Sequence, residues 1–162
     1  MVDPIKDPLD VEIEALEKAL AVQAEADALT RKKTKIQRMR QQLVDNAAYE
    51  KLVEEYGISS IRKLEFNQVI DGVPTFVVVK SPPADHLRIY TSRVLKAPKE
   101  KGGYPSLQVV QREVAALGMA CIVYPDAEGI EAMKAHVPDI AVHAGKAARD
   151  MASLEAEEEG KG

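Results

Sequence analysis

The apolar residues between 106 and 126 follow the spacing of a helix. They recur at alternating steps of three and four residues, which places them in one continuous stripe: Leu107, Val110, Val114, Leu117, Cys121 and Tyr124. No charged residue lies between 114 and 124, so this helix is apolar almost all round and belongs in a core. The partly β-branched residues at 120–124 leave a short buried strand open as an alternative for the end of the stretch.

The N-terminal stretch 9–56 contains neither Pro nor Gly and predicts one or two long helices that stop at Gly57. Its apolar residues follow two phases. The first series steps by four, three and four residues through Leu9, Ile13, Leu16 and Leu20. The second repeats every seven residues through Leu29, Ile36 and Leu43. The change of phase predicts either a coiled coil with an offset or a helical hairpin that breaks near 24–30, and both need a partner surface.

Charge divides the same stretch into two halves. Residues 3–27 hold eight acidic side chains and two lysines, whereas 31–40 hold six basic side chains. An antiparallel arrangement sets these opposite charges against each other. The run RKKTKIQRMR at 31–40 also suits a nucleic-acid site, but Ile36 and Met39 interrupt it at core spacing and no aromatic residue is present to stack on bases. A solvated helix face is therefore favoured over nucleic-acid binding.

A change of pattern after Gly57 predicts a β-hairpin. The segments 62–70 and 73–80 flank Asp71-Gly72, a two-residue signal for a tight turn. Pro74 cannot donate a hydrogen bond, so the second strand is expected at a sheet edge there. Because an isolated hairpin is barely stable in water, this one must pack on helices or pair with another chain.

Three further helices are separated by prolines. Ser81-Pro82 is expected to begin a helix that runs to about Leu95. Asp126 is expected to cap a short helix after the apolar stretch, and Pro138-Asp139 to open a last helix with a narrow stripe of small residues.

The fold class is therefore expected to be mainly α with a small β-hairpin. The expected organisation is a charged helical segment at 1–57, a compact hairpin-plus-helices domain at 58–154 and an acidic disordered tail at 155–162.

Composition narrows the possible functions. The chain has 162 residues, enough for one domain with an appendage, and a net charge of −4, which gives no overall attraction to nucleic acid or anionic lipid. The N-terminus is acidic and interrupted by prolines, unlike a secretory signal, so a cytosolic location is expected. The uncharged central run is far shorter than the ~20 residues that cross a bilayer.

Candidate chemistry is sparse. Cys121 is the only cysteine, so no internal disulfide forms, and its place on the apolar stripe predicts a core residue. The Gly102-Gly103 pair lacks the Lys-Ser/Thr that a phosphate-binding loop requires. No metal-binding spacing emerges from the three histidines, which are His86, His136 and His143. We therefore expect no enzymatic activity, no metal and no cofactor.

The order of motifs over residues 63–151 resembles the tail assembly chaperones of long-tailed bacteriophages and prophages. These motifs are an apolar strand ending FVVVK, the helix in PPADHLRIYTSRVL, a polar loop, and helices that close in ACIVYPD and HVPDI before a small-residue helix with an acidic tail. The resemblance implies a protein of the bacterial host cytoplasm that binds a long helical tape measure protein and helps to recruit tail tube subunits. The stretch 9–56 is longer than this resemblance leads us to expect, which leaves room for a structural subunit of the virion.

A chaperone of this kind needs an apolar groove for a client helix. The candidate groove residues are Leu87, Tyr90, Met133 and Met151, although each also suits a plain core position. The candidate seam for a homo-oligomer consists of Leu29, Ile36 and Leu43. A structural subunit would use this seam as a permanent joint and its hairpin edge to pair with a neighbour.

Overall fold

The computed structural model describes residues 7–66, 70 and 72–161. It is mainly α-helical with a small antiparallel sheet, which confirms the expected fold class. The elements run in chain order as α1 (Pro8–Tyr56), β1 (Ile61–Glu65), β2 (Phe76–Lys80), α2 (Ala84–Leu95), α3 (Leu107–Cys121), β3 (Ile122–Tyr124), α4 (Ala127–Lys134) and α5 (Ile140–Gly160). A short 3₁₀ turn, Ile58–Ser60, connects α1 to β1. The chain forms two compact units, which divide between Met39 and Arg40.

Helix α1 is a single helix, without the break near 24–30 that a hairpin requires. It stops before Gly57, which has φ = 81° and whose amide donates a 2.9 Å hydrogen bond to the carbonyl of Val53. Glycine adopts this positive φ at little steric cost, but its ψ of 144° is extended, so Gly57 does not take the left-handed helical conformation that was expected. The boundary between the compact units falls inside α1 and not at its end, because the last turns of α1 pack on the sheet of the second unit.

The sheet has the order β1-β2-β3, and both pairs are antiparallel. Strand β2 is therefore central, which differs from the edge position expected from Pro74. Pro74 precedes β2 and removes no hydrogen bond from its ladder, so the strand is free to pair on both sides.

The connection between β1 and β2 is longer than a two-residue turn. The last pair of the ladder joins Glu65 to Phe76, and one more hydrogen bond runs from the Phe66 amide to the Thr75 carbonyl over 3.1 Å. Gly72 has φ = 72°, as a turn glycine does. Asp71, the other residue of the expected turn, lies outside the described residues.

One face of the sheet packs on the C-terminal helices. Val77 and Val79 of β2 belong to a buried cluster whose other members are Leu117, Cys121, Met133, Ile140, Ala144, Ala148 and Met151. Glycines allow α3 and α5 to touch backbone to backbone. A Cβ atom on Gly118 would overlap the Ala141 carbonyl, and one on Gly145 would overlap the Val114 carbonyl. The small-residue stripe expected on the last helix thus sits at a close helix crossing.

The opposite face of the sheet packs on the end of α1. Phe76 and Val78 point to this side, since side chains alternate along a strand, and they are buried together with Ile61. The residues of α1 that pack against them are Tyr49, Leu52, Val53 and Tyr56. The sheet is therefore covered by helices on both faces.

Several local expectations are refined. Helix α3 ends at Cys121 and the chain continues as strand β3, which is the alternative left open for 120–124. Asp126 caps α4, since its carboxylate accepts a 2.9 Å hydrogen bond from the Gly129 amide.

Two helix boundaries differ from those expected. Helix α2 begins at Ala84, two residues after Pro82. Helix α5 continues to Gly160, so 155–160 is helical where a disordered tail was expected.

Candidate functional site

The first candidate surface is the exposed apolar side of α1, which lies in the first compact unit except for Leu43 at its end. Every described side chain from 7 to 40 is exposed. The large apolar residues of the first series are between 45% and 69% exposed, and we call this set the acidic-end ridge: Leu9, Ile13, Leu16 and Leu20. Those of the second series are between 51% and 70% exposed, and we call this set the basic-end ridge: Leu29, Ile36, Met39 and Leu43. Nothing within the described chain covers either ridge.

The two ridges lie on different faces of α1. At about 100° per residue, their mean directions are roughly 150° apart around the helix axis. Glu12 and Glu17 lie on either side of the acidic-end ridge, whereas Lys35 and Arg40 lie on either side of the basic-end ridge. The change of phase in the sequence is therefore a change of face on one continuous helix, and each face carries its own sign of charge.

The second candidate surface is the outer face of α2. A shallow groove of about 520 Å³ lies there, with an apolar floor formed by Ala84, Leu87 and Leu95. Arg88 and Lys96 line the same groove, and their aliphatic stems add apolar surface beside their charges. Leu95 is 74% exposed, so the groove presents apolar surface directly to solvent.

The structure separates the four candidate groove residues. Leu87 lines the α2 groove and packs against the buried cluster with its inner side. Tyr90 is partly buried and lines a separate cavity of about 80 Å³. Met133 and Met151 are 2% and 6% exposed and belong to the core. Of the four, only Leu87 therefore lies in the α2 groove.

A fully buried carboxylate ties the end of α1 to the sheet. The side chain of Asp45 has no solvent exposure. Its Oδ1 accepts hydrogen bonds from Gln41 Nε2 at 2.9 Å and from Tyr124 Oη at 2.5 Å. Its Oδ2 accepts two more from Thr75, one from the amide at 2.9 Å and one from the hydroxyl at 2.6 Å. A buried charge is costly unless such donors replace water.

The surroundings of Tyr124 shift the pKa of its hydroxyl. Burial raises the pKa of the Tyr124 hydroxyl, and the hydrogen bond to Asp45 and the carboxylate charge raise it further. The phenol therefore stays protonated and remains a donor. The Phe76 ring packs beside the Tyr124 ring at a tilt of 46°, with ring centroids 5.6 Å apart. Each oxygen of the carboxylate accepts two hydrogen bonds from the fold, so Asp45 anchors the end of α1 to the sheet.

A second buried acid lies between α2 and α3. Glu113 is 7% exposed and faces Arg93 Nη1 at 3.4 Å and Arg112 Nη2 at 3.3 Å. It lines the 80 Å³ cavity together with His86 and Tyr90. This cavity is below the 300–1,000 Å³ that ordinary ligand pockets occupy. Glu113 therefore pairs with one arginine on α2 and one on α3, and the cavity beside it is smaller than a ligand pocket.

The one cysteine of the chain lies in an unreactive setting. Cys121 is fully buried, and burial raises the pKa of its thiol more than the nearby charge of Lys80 lowers it, which disfavours the nucleophilic thiolate. Among the described residues, no three His, Cys, Asp or Glu side chains are placed to hold a metal ion.

No helix in the described ranges combines the length and the apolar character that crossing a membrane requires.

Comparisons of the chain with protein-family models, with curated proteins and with solved structures found no match.

Sequence reasoning missed Asp45, although the sequence carries a signal for it. Asp45 stands four residues before Tyr49 and seven before Leu52, so it occupies the first position of the apolar stripe that packs on the sheet. An acid at a core position of an otherwise apolar helix face indicates a buried partner. The sequence does not identify Tyr124 as a partner, because it lies 79 residues away along the chain.

Proposed function

We propose that this chain is a non-enzymatic assembly chaperone of the bacteriophage tail type, which binds an amphipathic helix of a tape measure-like client. The observation that supports this best is the exposed apolar groove on α2, formed around Leu87 and Leu95. A client helix of complementary shape would bury these leucines, which is the helix-in-groove mode of recognition. The resemblance over 63–151 supplies the class of client.

The charges at the groove narrow the client further. Arg88, which also pairs with Asp85, and Lys96 stand beside the apolar floor. A client helix with acidic residues on either side of its apolar stripe would place them near these two cations. Such pairs steer association and fix orientation more than they add affinity.

The test is to co-express the chain with the products of its neighbouring genes and to separate immature assemblies from finished particles. Mass spectrometry then identifies the fractions that contain the chain. We expect it to accompany a long helical client in the immature fractions and to be missing from finished particles. The variant Leu95→Asp should lose the client. The matched control Leu154→Asp, which changes a leucine on α5 that is 53% exposed, should keep it.

A second candidate function is a structural subunit of the tail or virion that oligomerises through its N-terminal helix. The exposed ridges of α1 favour it, since apolar surface of this extent suits a permanent joint. The same fractionation separates the two functions. Presence of the chain in finished particles at fixed stoichiometry would contradict the chaperone function and support the structural one.

A further inference from the structure

The arrangement of the two ridges on α1 limits how copies of this chain can pair. The ridges lie roughly 150° apart on one uninterrupted helix. Two straight helices lying side by side bury only the faces that they turn toward each other. A single symmetric pair therefore cannot cover both ridges, and any contact that uses one ridge leaves the other exposed.

The spacing of the two ridges is complementary in the antiparallel sense. The acidic-end ridge, read forward from Leu9, steps by four and then three residues. The basic-end ridge, read backward from Leu43, also steps by four and then three. Antiparallel placement of two copies thus sets three apolar layers opposite one another, which join Leu9 to Leu43, Ile13 to Met39 and Leu16 to Ile36.

The charges agree with the same placement. Between 10 and 17 the chain carries four acidic residues and no basic one, and between 31 and 40 it carries six basic residues and no acidic one. Antiparallel placement sets the first segment against the second. A parallel placement would instead set acid against acid and base against base, which repels.

We propose that α1 joins copies of this chain through an antiparallel contact between the acidic-end ridge of one copy and the basic-end ridge of the next. The two surfaces in this contact are different, so the interface is heterologous. Each copy keeps one unused ridge after the first contact, and the assembly therefore grows beyond a dimer until it closes into a ring or continues as a filament. Because the two ridges are complementary to each other, the partner that binds each of them is another copy of this chain.

The test uses the purified full chain and two variants with complementary defects. Ile13→Asp/Leu16→Asp disables the acidic-end ridge, and Ile36→Asp/Met39→Asp disables the basic-end ridge. Analytical ultracentrifugation gives the mass of each protein and of their equimolar mixture. A control variant, Leu107→Asp/Leu154→Asp, changes two exposed leucines outside α1 and is expected to behave like the wild type.

We expect the wild type to exceed a dimer, with a mass that rises with concentration and falls as salt screens the charges. Each ridge variant alone should sediment as a 17.7 kDa monomer, because it lacks one of the two surfaces. Their mixture should form a one-to-one dimer, since each variant supplies the surface that the other lacks.

Three results would overturn the proposal. The mixture could remain monomeric, a single ridge variant could keep the mass of the wild type, or one variant alone could form a stable dimer, which would indicate a self-complementary ridge. All of these measurements use the chain by itself, without a client. They can therefore fail while the client-binding test succeeds, and the reverse also holds.

Discussion

The two compact units of this chain treat their large apolar residues in opposite ways. In the second unit, leucines, valines and methionines pack against the faces of a three-stranded sheet. Each oxygen of the buried Asp45 carboxylate accepts two hydrogen bonds. In the described part of the first unit, every leucine and isoleucine is at least 45% exposed. Most large apolar residues of the second unit therefore stabilise its fold, whereas those in the described part of the first unit are exposed to solvent.

The largest expected difference in stability is between two leucine-to-aspartate changes, one in each unit. Leu117→Asp buries an unpaired carboxylate at a position that is 4% exposed, which costs several kcal/mol, on the order of the stability of a whole domain. Leu20→Asp alters a residue that is 69% exposed and should change the free energy of unfolding by less than about 0.5 kcal/mol. Tyrosine fluorescence during urea unfolding measures the free energy of unfolding of the second unit, since all five tyrosines lie there. Equal destabilisation by the two changes would remove the contrast.

The next effect concerns the crossing of α3 and α5. Gly145→Ala adds a methyl group that overlaps the Val114 carbonyl, and backbone gives way less readily than a side chain, so we expect a loss of about 3 kcal/mol or more. Gly160→Ala is the matched control, because a Cβ atom there meets nothing within 4 Å. Thermal unfolding of both variants tests this. A stability of Gly145→Ala equal to that of the control would mean that the helices cross farther apart.

A somewhat smaller effect is expected at the buried acid. Asp45→Ala leaves the Thr75 amide, the Tyr124 hydroxyl and the Gln41 amide without their acceptor, which should cost about 2–3 kcal/mol. Glu50→Ala, which changes an exposed acid on the same helix, should be nearly neutral. Chemical unfolding compares the two. An Asp45→Ala protein as stable as the control would show that the anchor contributes little.

The smallest effect is that of a single hydroxyl. Tyr124→Phe removes one donor from Asp45 and should cost about 1 kcal/mol near neutral pH. The folded state raises the pKa of this phenol above the unfolded value of about 10. Its contribution is therefore complete below pH 10 and is lost as the pH rises from there, because only the unfolded chain then ionises readily.

The measurement for this prediction is the difference in unfolding free energy between wild type and Tyr124→Phe at several pH values. The difference should narrow as the pH rises above about 10. A difference that stays constant through this range would contradict the position of Tyr124 beside the carboxylate.

The elements that rest on local patterns were predictable from sequence, and those that rest on distant pairing were not. The helix periodicity around Leu117, the end of α1 at Gly57 and the cap at Asp126 depend on neighbours a few residues away. The central position of β2 depends on β3, more than 40 residues later. Pro74 suggested an edge strand only because the sequence does not show that the ladder begins after it.

The candidate surfaces follow the same division. The two phases along 9–43 were visible as spacing, but their meaning depended on whether the helix breaks near 24–30. Because α1 is continuous, the two phases become two faces. Met133 and Met151 illustrate the opposite case. Their spacing suited either a groove or a core, and only the packing of α4 and α5 places them in the core.

The measurement that tests the central claim most directly is hydrogen exchange of the α1 amides over a range of protein concentrations. An uncovered helix opens readily, whereas a helix held between neighbours is protected. We predict that exchange across 9–39 slows as concentration rises, while exchange in the sheet and in α3 stays unchanged. Exchange across 9–39 that is independent of concentration would contradict the claim that copies of this chain cover the ridges.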